Sequence, residues 1–495
     1  MLTEQQYIDL SSEYNLIPVY RQWLADTETP VTVYQKLKPL NPVYLLESVD
    51  GGQQVTRYSF IGLKPFATFS SKGTDVVFSS DGEVKKLSGK PLDLLYGVLC
   101  RYHCPKLPGL PRFYGGAVGY IGYDAVTTLE KLPQTTLDDL NLPDTFFVLC
   151  SVVLIFDHLK HTITGVVNSR VITDASAGYR DAQNTLDEIQ QLMQQHAPLE
   201  LPLNTTAGPV KSNCTREEFI AQVKKAKEYI AAGDVFQVVL SKRFSCHYSG
   251  DPFQVYRRLR SLNPSPYMYY LNFGAASIVG ASPEMLVRVE GGLVQTQPIA
   301  GTRPRGVDED HDNRLAADLL ADRKEQAEHI MLVDLGRTDL GRVCQPGSVR
   351  VDSYMQVEKY SHVMHLVSSV KGVLKDEFTP IDAFKACFPA GTVSGAPKIP
   401  AMEIIDELES TRRGIYSGAI GYLGFNRSLD TAIAIRTIVF HNKNAYFQAG
   451  AGIVADSDPE SEYLETINKA AVLAKALGIE KLKLTKAGAQ SRVLA

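Results

Sequence analysis

The chain has 495 residues, 44% of them hydrophobic and 21% charged, with a formal net charge of −4; this is the profile of a soluble protein with two to four ordinary domains or one large composite fold. That charge balance excludes wide nucleic-acid contact, which needs a basic face. The seven cysteines (Cys100, Cys104, Cys150, Cys214, Cys246, Cys344, Cys387) stand singly, without metal-like spacing, so reduced thiols in a cytoplasmic protein are expected. In chain order, the opening Met-Leu-Thr-Glu-Gln-Gln has neither the basic nor the apolar stretch of a secretory leader. Short apolar runs then predict strands at Tyr44–Val49, Tyr58–Leu63 and Ala67–Ser71, and a hairpin around Asp81-Gly82. The run Phe146–Phe156 is too short for a membrane helix and rich in β-branched residues, which predicts a buried strand and no membrane association.

Asp174–Gln195 carries an amphipathic helical pattern, and residues 196–212, with three prolines and no apolar period, read as a linker. The seam divides the chain into parts spanning 1–200 and 213–485. Thr215–Ala232 predicts a helix with Thr215 as N-cap and Glu218 completing a capping box. Val287–Glu290 and Leu293–Gln297 flank the turn Gly291-Gly292, Asn313–Leu335 reads as one helix, and strands cluster at Ile415–Phe425, Thr431–His441 and Ala445–Val454. Adjacent strand clusters favour antiparallel sheets over alternating βαβ units. A last helix starts near Pro459, with Ser457 or Asp458 as cap.

Two of these helices bear carboxylates on one face: Glu325 and Glu328 on the first, Glu462 and Glu465 with Lys469 on the second. If the helices meet, four hard oxygen donors converge in a way that suits Mg²⁺. Spacing alone equally describes solvated faces, with Glu465–Lys469 as an ordinary salt bridge. Three small-residue turns, Pro298–Gly306, Phe388–Lys398 and Gly450-Ala451-Gly452, offer backbone N–H groups near basic side chains, an arrangement that fits an anionic small molecule better than a neutral one.

Together with Glu328-His329, Ile415-Tyr416-Ser417-Gly418, Ala434-Ile435-Arg436 and the stretch from Gly450 to Lys469, these turns resemble the chorismate-utilising synthase family in content and order over residues 215–480. The residues ahead of them resemble its regulatory region. The resemblance implies an α/β (α+β) fold, a large two-sheet antiparallel sandwich with helices between and around the sheets, the N-terminal region being intertwined with the catalytic part. It implies Mg²⁺ held by Glu328 and Glu465, with Glu325 and Glu462 holding its waters. Tyr416 and Arg436 are implied to grip the enolpyruvyl carboxylate of chorismate, and Gly301, Thr302, Thr392, Gly450, Gly452 and Lys469 to form the rest of the pocket wall. Glu284 matches the family's general acid, and His365 the histidine of the second elimination.

Branch choice rests on two positions. Where members that add water carry a lysine base, this chain has Gln237, which suits ammonia as nucleophile. Many members that form aminodeoxychorismate carry a lysine at the position of Ala300, so alanine there favours anthranilate and pyruvate as products. Glu47-Ser48 and Pro266-Tyr267-Met268 resemble the segments of a tryptophan feedback site. With no Gly-x-Cys-x-Gly elbow in the chain, a separate glutamine amidotransferase subunit is the expected ammonia source. The alternatives are the aminodeoxychorismate branch and a non-catalytic chorismate- or tryptophan-binding homologue.

Overall fold

In the computed structural model, which describes residues 2–49, 57–171, 174–196, 206–360 and 363–482, two long strands, Tyr58–Lys72 and Thr145–Asp157, pair antiparallel and form a spine. Two sheets diverge from it. One runs through Tyr44–Glu47, Tyr267–Asn272, Ala276–Ser282, Thr437–His441 and Asn444–Ile453 to Gln237–Ser249. The other runs through Gly116–Ile121, Ala419–Gly424, Leu429–Ile433, Met285–Glu290 and Leu293–Thr296 to Val363–Val373, which also pairs with Ile299–Pro304 and Arg350–Lys359. All of these pairings are antiparallel, as the clustering of strands in the sequence predicts. Both sheets mix N-terminal with C-terminal strands, so a strand from each end of the chain lies in either layer.

Helices fill the space beside the sheets. Arg323–Val343 packs on Ile299–Pro304, Val363–Val373 and Pro380–Cys387; Pro459–Ala476 packs on Asn444–Ile453, Arg216–Ala232 and Pro252–Leu262. Phe219, Phe244, Phe384 and Phe447 are fully buried in these contacts, each contributing about 1.5–3 kcal/mol of transfer free energy. Local chemistry explains the element ends. The Arg216–Ala232 helix begins at the Thr215/Glu218 capping box and stops at Gly233, whose φ of 88° is open to glycine. Asp81-Gly82 and Gly291-Gly292 both have two consecutive positive φ values, the backbone of the hairpin turn read from the sequence.

Five expectations need correction. Asn313–Leu335 is not one helix: Glu309–Ala321 ends and Arg323–Val343 begins at Asp322, whose carboxylate accepts from Lys324 N and Glu325 N and so caps a new helix. The runs at 58–63 and 67–71 are one strand with a register shift at Pro65, after Lys64 at φ 51°. Conversely, Thr431–His441 is two strands broken around Arg436, and the predicted strand from Ile415 begins only at Ala419 because Ser417 is left-handed. In the linker, residues 197–205 lie outside the described residues, but 206–207 and 211–212 pair with Gln237–Ser249.

Candidate active site

The floor of the site is one face of the strand pair Gln237–Ser249 and Asn444–Ile453, where Val239 lies opposite Gly452 and Ser241 opposite Gly450. Gly450 is sterically required, because a Cβ there would stand 2.9 Å from the Leu240 carbonyl, and Gly452 gives the Gln237 side chain its room. A Cβ on Gly452 would stand 2.6 Å from Gln237 Nε2, and one on Gly450 would also stand 2.7 Å from the Tyr416 hydroxyl. Lys469 reaches from the Pro459–Ala476 helix to donate to Gly450 O (3.0 Å) and pairs with Glu465 (2.6 Å). Gln237 donates from Nε2 to Glu328 Oε1 (3.3 Å) and so ties the floor to the Arg323–Val343 helix.

On that helix Glu325 lies against the Ile299–Pro304 strand. Gly301, at φ 67° in a bulge of the Ile299–Pro304 strand, would place a Cβ 3.2 Å from Glu325 Oε2. His365 lies opposite Thr302 in register, and its Nδ1 is 2.8 Å from Gly301 O and 3.1 Å from Thr302 Oγ1. A carbonyl only accepts, so Nδ1 carries the proton and Nε2 keeps its lone pair. Burial lowers the His365 pKa, and the nearby Arg436 lowers it further against the Gly301 contact; the imidazole is therefore neutral and able to take a proton at physiological pH.

Arg436 stands at φ 50° in the break between two strands, a conformation costing a non-glycine residue about 1–3 kcal/mol. Its guanidinium makes no hydrogen bond or ion pair of contact length among the described residues. Burial lowers its pKa, with Tyr416 and Glu465 acting in the opposite direction from a distance. A largely buried cation without a close acceptor is an anion site in physical terms. Tyr416 beside it is buried, and burial pushes its hydroxyl up to about 12.

Glu284 is 6% exposed. Burial pushes its carboxyl up to about 8, against the smaller opposing effects of the Thr392 hydroxyl and the Ile299 backbone N–H. Thr392 Oγ1 has no partner in hydrogen-bond geometry, so its effect on Glu284 is that of a nearby dipole. Glu284 O accepts from Ile433 N (3.0 Å), which anchors the carboxyl-bearing residue to the strand leading to Arg436.

The two acidic pairs span the first two turns of their helices, with Glu325 and Glu462 in the first turn of each. Burial, and then the neighbouring Glu328, raise the Glu325 carboxyl above its ordinary pKa. Burial raises Glu462 as well, against a Ser457 hydrogen bond, with Glu465 adding to the rise; Lys324 on the other helix acts on it electrostatically. Lys324 and Glu462 thus lie within electrostatic range of each other across the two helices, but among the described residues no three His, Cys, Asp or Glu side chains converge on one coordination point. Four carboxylates against the two cations Lys469 and Arg303 leave a negative surplus, and oxygen donors of this kind fit a hard dication that keeps some of its waters.

A second cavity lies away from this site, between the paired strands Tyr44–Glu47 and Tyr267–Asn272 of one sheet and Ala419–Gly424 and Leu429–Ile433 of the other. Glu47, Ser48, Pro266, Tyr267 and Met268 all line it. Glu47 is already engaged, in a fork with Arg260 (3.0 and 3.2 Å) and by the Tyr256 hydroxyl, whereas Ser48 Oγ is buried without a partner. The wall also holds residues that the sequence reading missed. Asp430 accepts from Arg288 Nε (2.9 Å) and the Tyr267 hydroxyl (3.0 Å) and pairs with Arg112 (3.4 Å), so two arginines meet one aspartate and positive charge is left over. Asp430 inside an apolar strand pattern was the available signal, since a buried charge needs a partner.

The family described as chorismate binding enzyme matches residues 41–475. Anthranilate synthase component 1 of Acetivibrio thermocellus is 47% identical over 476 residues, covering 94% of this chain and 96% of that protein. The Aquifex aeolicus protein of the same name is 47% identical over 484 residues, covering 97% and 98%. Among solved structures, anthranilate synthase component I from Streptococcus pneumoniae superposes with a TM-score of 0.73 at 43% identity, covering 84% of this chain and 92% of that one. The menaquinone-specific isochorismate synthase MenF of Escherichia coli superposes at 0.71 with 21% identity, covering 96% and 98%, a likeness of fold.

Proposed function

The chain belongs to the chorismate-binding enzyme family, and from that premise we propose that it converts chorismate and ammonia to anthranilate, pyruvate and water, as the large subunit of a heteromeric, tryptophan-inhibited lyase in the cytoplasm. The observation that carries this reading is Arg436, a largely buried guanidinium without a close acceptor, set among Tyr416, His365 and Glu465. Chorismate brings two carboxylates, and a planar fork beside a phenol matches the enolpyruvyl one. Glu328 and Glu465, with Glu325 and Glu462 behind them, would hold Mg²⁺, whose charge neutralises the ring carboxylate when bound.

The side chains divide the remaining work. Glu284, neutral at pH 7 because burial holds its proton, donates to the 4-hydroxyl, which leaves as water. Ammonia adds at C2 beside Gln237, where no base is needed because ammonia already has its lone pair. Nε2 of His365 then takes the C2 proton as the enolpyruvyl group departs as pyruvate and the ring becomes aromatic. Gly301, Thr302, Thr392, Gly450, Gly452 and Lys469 enclose the ring and exclude water. A glutamine amidotransferase subunit supplies the ammonia.

The second cavity takes tryptophan. Its aromatic and proline walls suit an indole, Ser48 Oγ lacks a partner, and the surplus positive charge of Arg112 and Arg288 beside Asp430 suits a carboxylate. Absence of membrane-crossing helices among the described residues and seven unpaired cysteines accord with the cytoplasmic assignment. The test is fluorescence of the purified chain's product from chorismate, Mg²⁺ and ammonium. Anthranilate emission that EDTA abolishes and tryptophan suppresses supports the proposal; tight chorismate binding without turnover contradicts it.

A further inference from the structure

Glu409 and Arg413 have no part in the roles assigned above, yet they form an ion pair whose side chains are 4% and 1% exposed. All five guanidinium N–H groups are used. Nε and Nη2 donate to the two Glu409 oxygens (2.9 and 2.6 Å), Nη2 also to Val239 O (2.7 Å), and Nη1 to Val393 O (2.7 Å) and Ser417 Oγ (3.3 Å). Glu409 Oε1 additionally accepts from Ser241 N and Ser241 Oγ, both at 2.8 Å. Burial of two charges is a poor route to stability, because well-packed apolar residues of the same volume serve as well or better. What the pair provides is geometry.

Each anchor is next to a group of the pocket wall. Val393 follows Thr392, Ser417 follows Tyr416, and Ser241 stands directly opposite Gly450. Ser417 has a left-handed φ of 64°, so the turn presenting Tyr416 is held in a conformation that its own sequence does not favour. The guanidinium carbon also lies 5.8 Å from the centre of the Tyr416 ring and 4.8 Å from that of Tyr123.

We propose that the Glu409–Arg413 pair is a positioning unit for the enolpyruvyl carboxylate, holding the Tyr416 hydroxyl above Gly450 and the Thr392 turn at a fixed distance from both. It sets chorismate affinity without touching chorismate, and it rests on the assignment of Tyr416 as a substrate contact.

The experiment is a double-mutant cycle in steady-state kinetics of the full chain with chorismate and ammonium. Arg413→Lys and Ser417→Gly are each measured alone and combined with Tyr416→Phe. Each alone is expected to raise the chorismate KM about tenfold while leaving the ammonium KM unchanged, and to add nothing in the Tyr416→Phe background. Full multiplicative losses in that background overturn the proposal, because the pair then acts by some route other than Tyr416. If Arg413→Lys fails to fold, Ser417→Gly decides alone, since glycine relieves the left-handed strain while removing the acceptor; an unchanged chorismate KM in that variant overturns the proposal. A distinct result, an unchanged KM in Tyr416→Phe itself, removes the underlying substrate assignment and the positioning role with it.

Discussion

Replacing Glu284 by glutamine tests the acid directly, because stability and activity should move in opposite directions. Below the ordinary glutamate pKa of 4.5 the carboxyl is neutral in both folded and unfolded chains, so burial has no cost. As the pH rises, the unfolded chain releases the proton near 4.5 while the folded chain keeps it to about 8, and stability falls across that window before levelling off. The displacement corresponds to about 4–5 kcal/mol, which Glu284→Gln recovers because its amide does not ionise. Urea unfolding at pH 5 should place wild type and variant close together, and at pH 9 the variant should be the more stable by roughly that amount. The same substitution should lower kcat by about 10²–10⁴-fold, and wild-type activity should decline as the pH passes about 8. Equal stabilities at pH 9, or activity that stays level well above pH 8, would refute the argument that burial keeps this carboxyl protonated.

Arg436→Met should raise the chorismate KM by about 10–150-fold, the value of one lost charge-assisted bond, without lowering the melting temperature, since the guanidinium has no close partner to lose; kinetics and calorimetry check the two halves. Glu465→Gln should weaken Mg²⁺ binding by about tenfold or more, read by isothermal titration in the presence of chorismate, and an unchanged affinity would remove Glu465 from the ligand set. Ser48→Ala should raise the tryptophan concentration for half-inhibition about fivefold to tenfold with no loss of thermal stability, because Ser48 Oγ is unpaired; inhibition curves and melts of both proteins decide it.

Local signals in the sequence carry much of the fold. Asp81-Gly82, Gly291-Gly292 and the Thr215/Glu218 box each act within four residues, and the structure has each turn or cap where the sequence places it. Two of the misreadings share a cause: Asp322 and Arg436 interrupt periodic segments by capping or by positive φ, and apolar periodicity does not register a change in a single residue's backbone, whereas at Lys64 a bulge shifts the register without ending the strand. Interruptions of this kind also shape the site. The break at Arg436 and the left-handed Ser417 end the strand pairing just before the positions that carry the arginine and the tyrosine, so their side chains leave the regular pleat. The acidic helices are legible as faces, but the approach of Lys324 to Glu462 is not, because the proximity of segments more than a hundred residues apart leaves no trace in spacing. Glu409 and Arg413 were missed for the opposite reason: an i,i+4 ion pair reads as a surface feature, and only the structure places it at 4% and 1% exposure.

The most direct test of the central claim is to supply the purified chain with chorismate, Mg²⁺ and ¹⁵N-ammonium, with no glutaminase present, and to locate the nitrogen by NMR and mass. Label on the ring carbon next to the carboxylate, with one pyruvate released per product, is the predicted result. Label at C4 with the enolpyruvyl group retained would contradict it and assign the chain to aminodeoxychorismate formation.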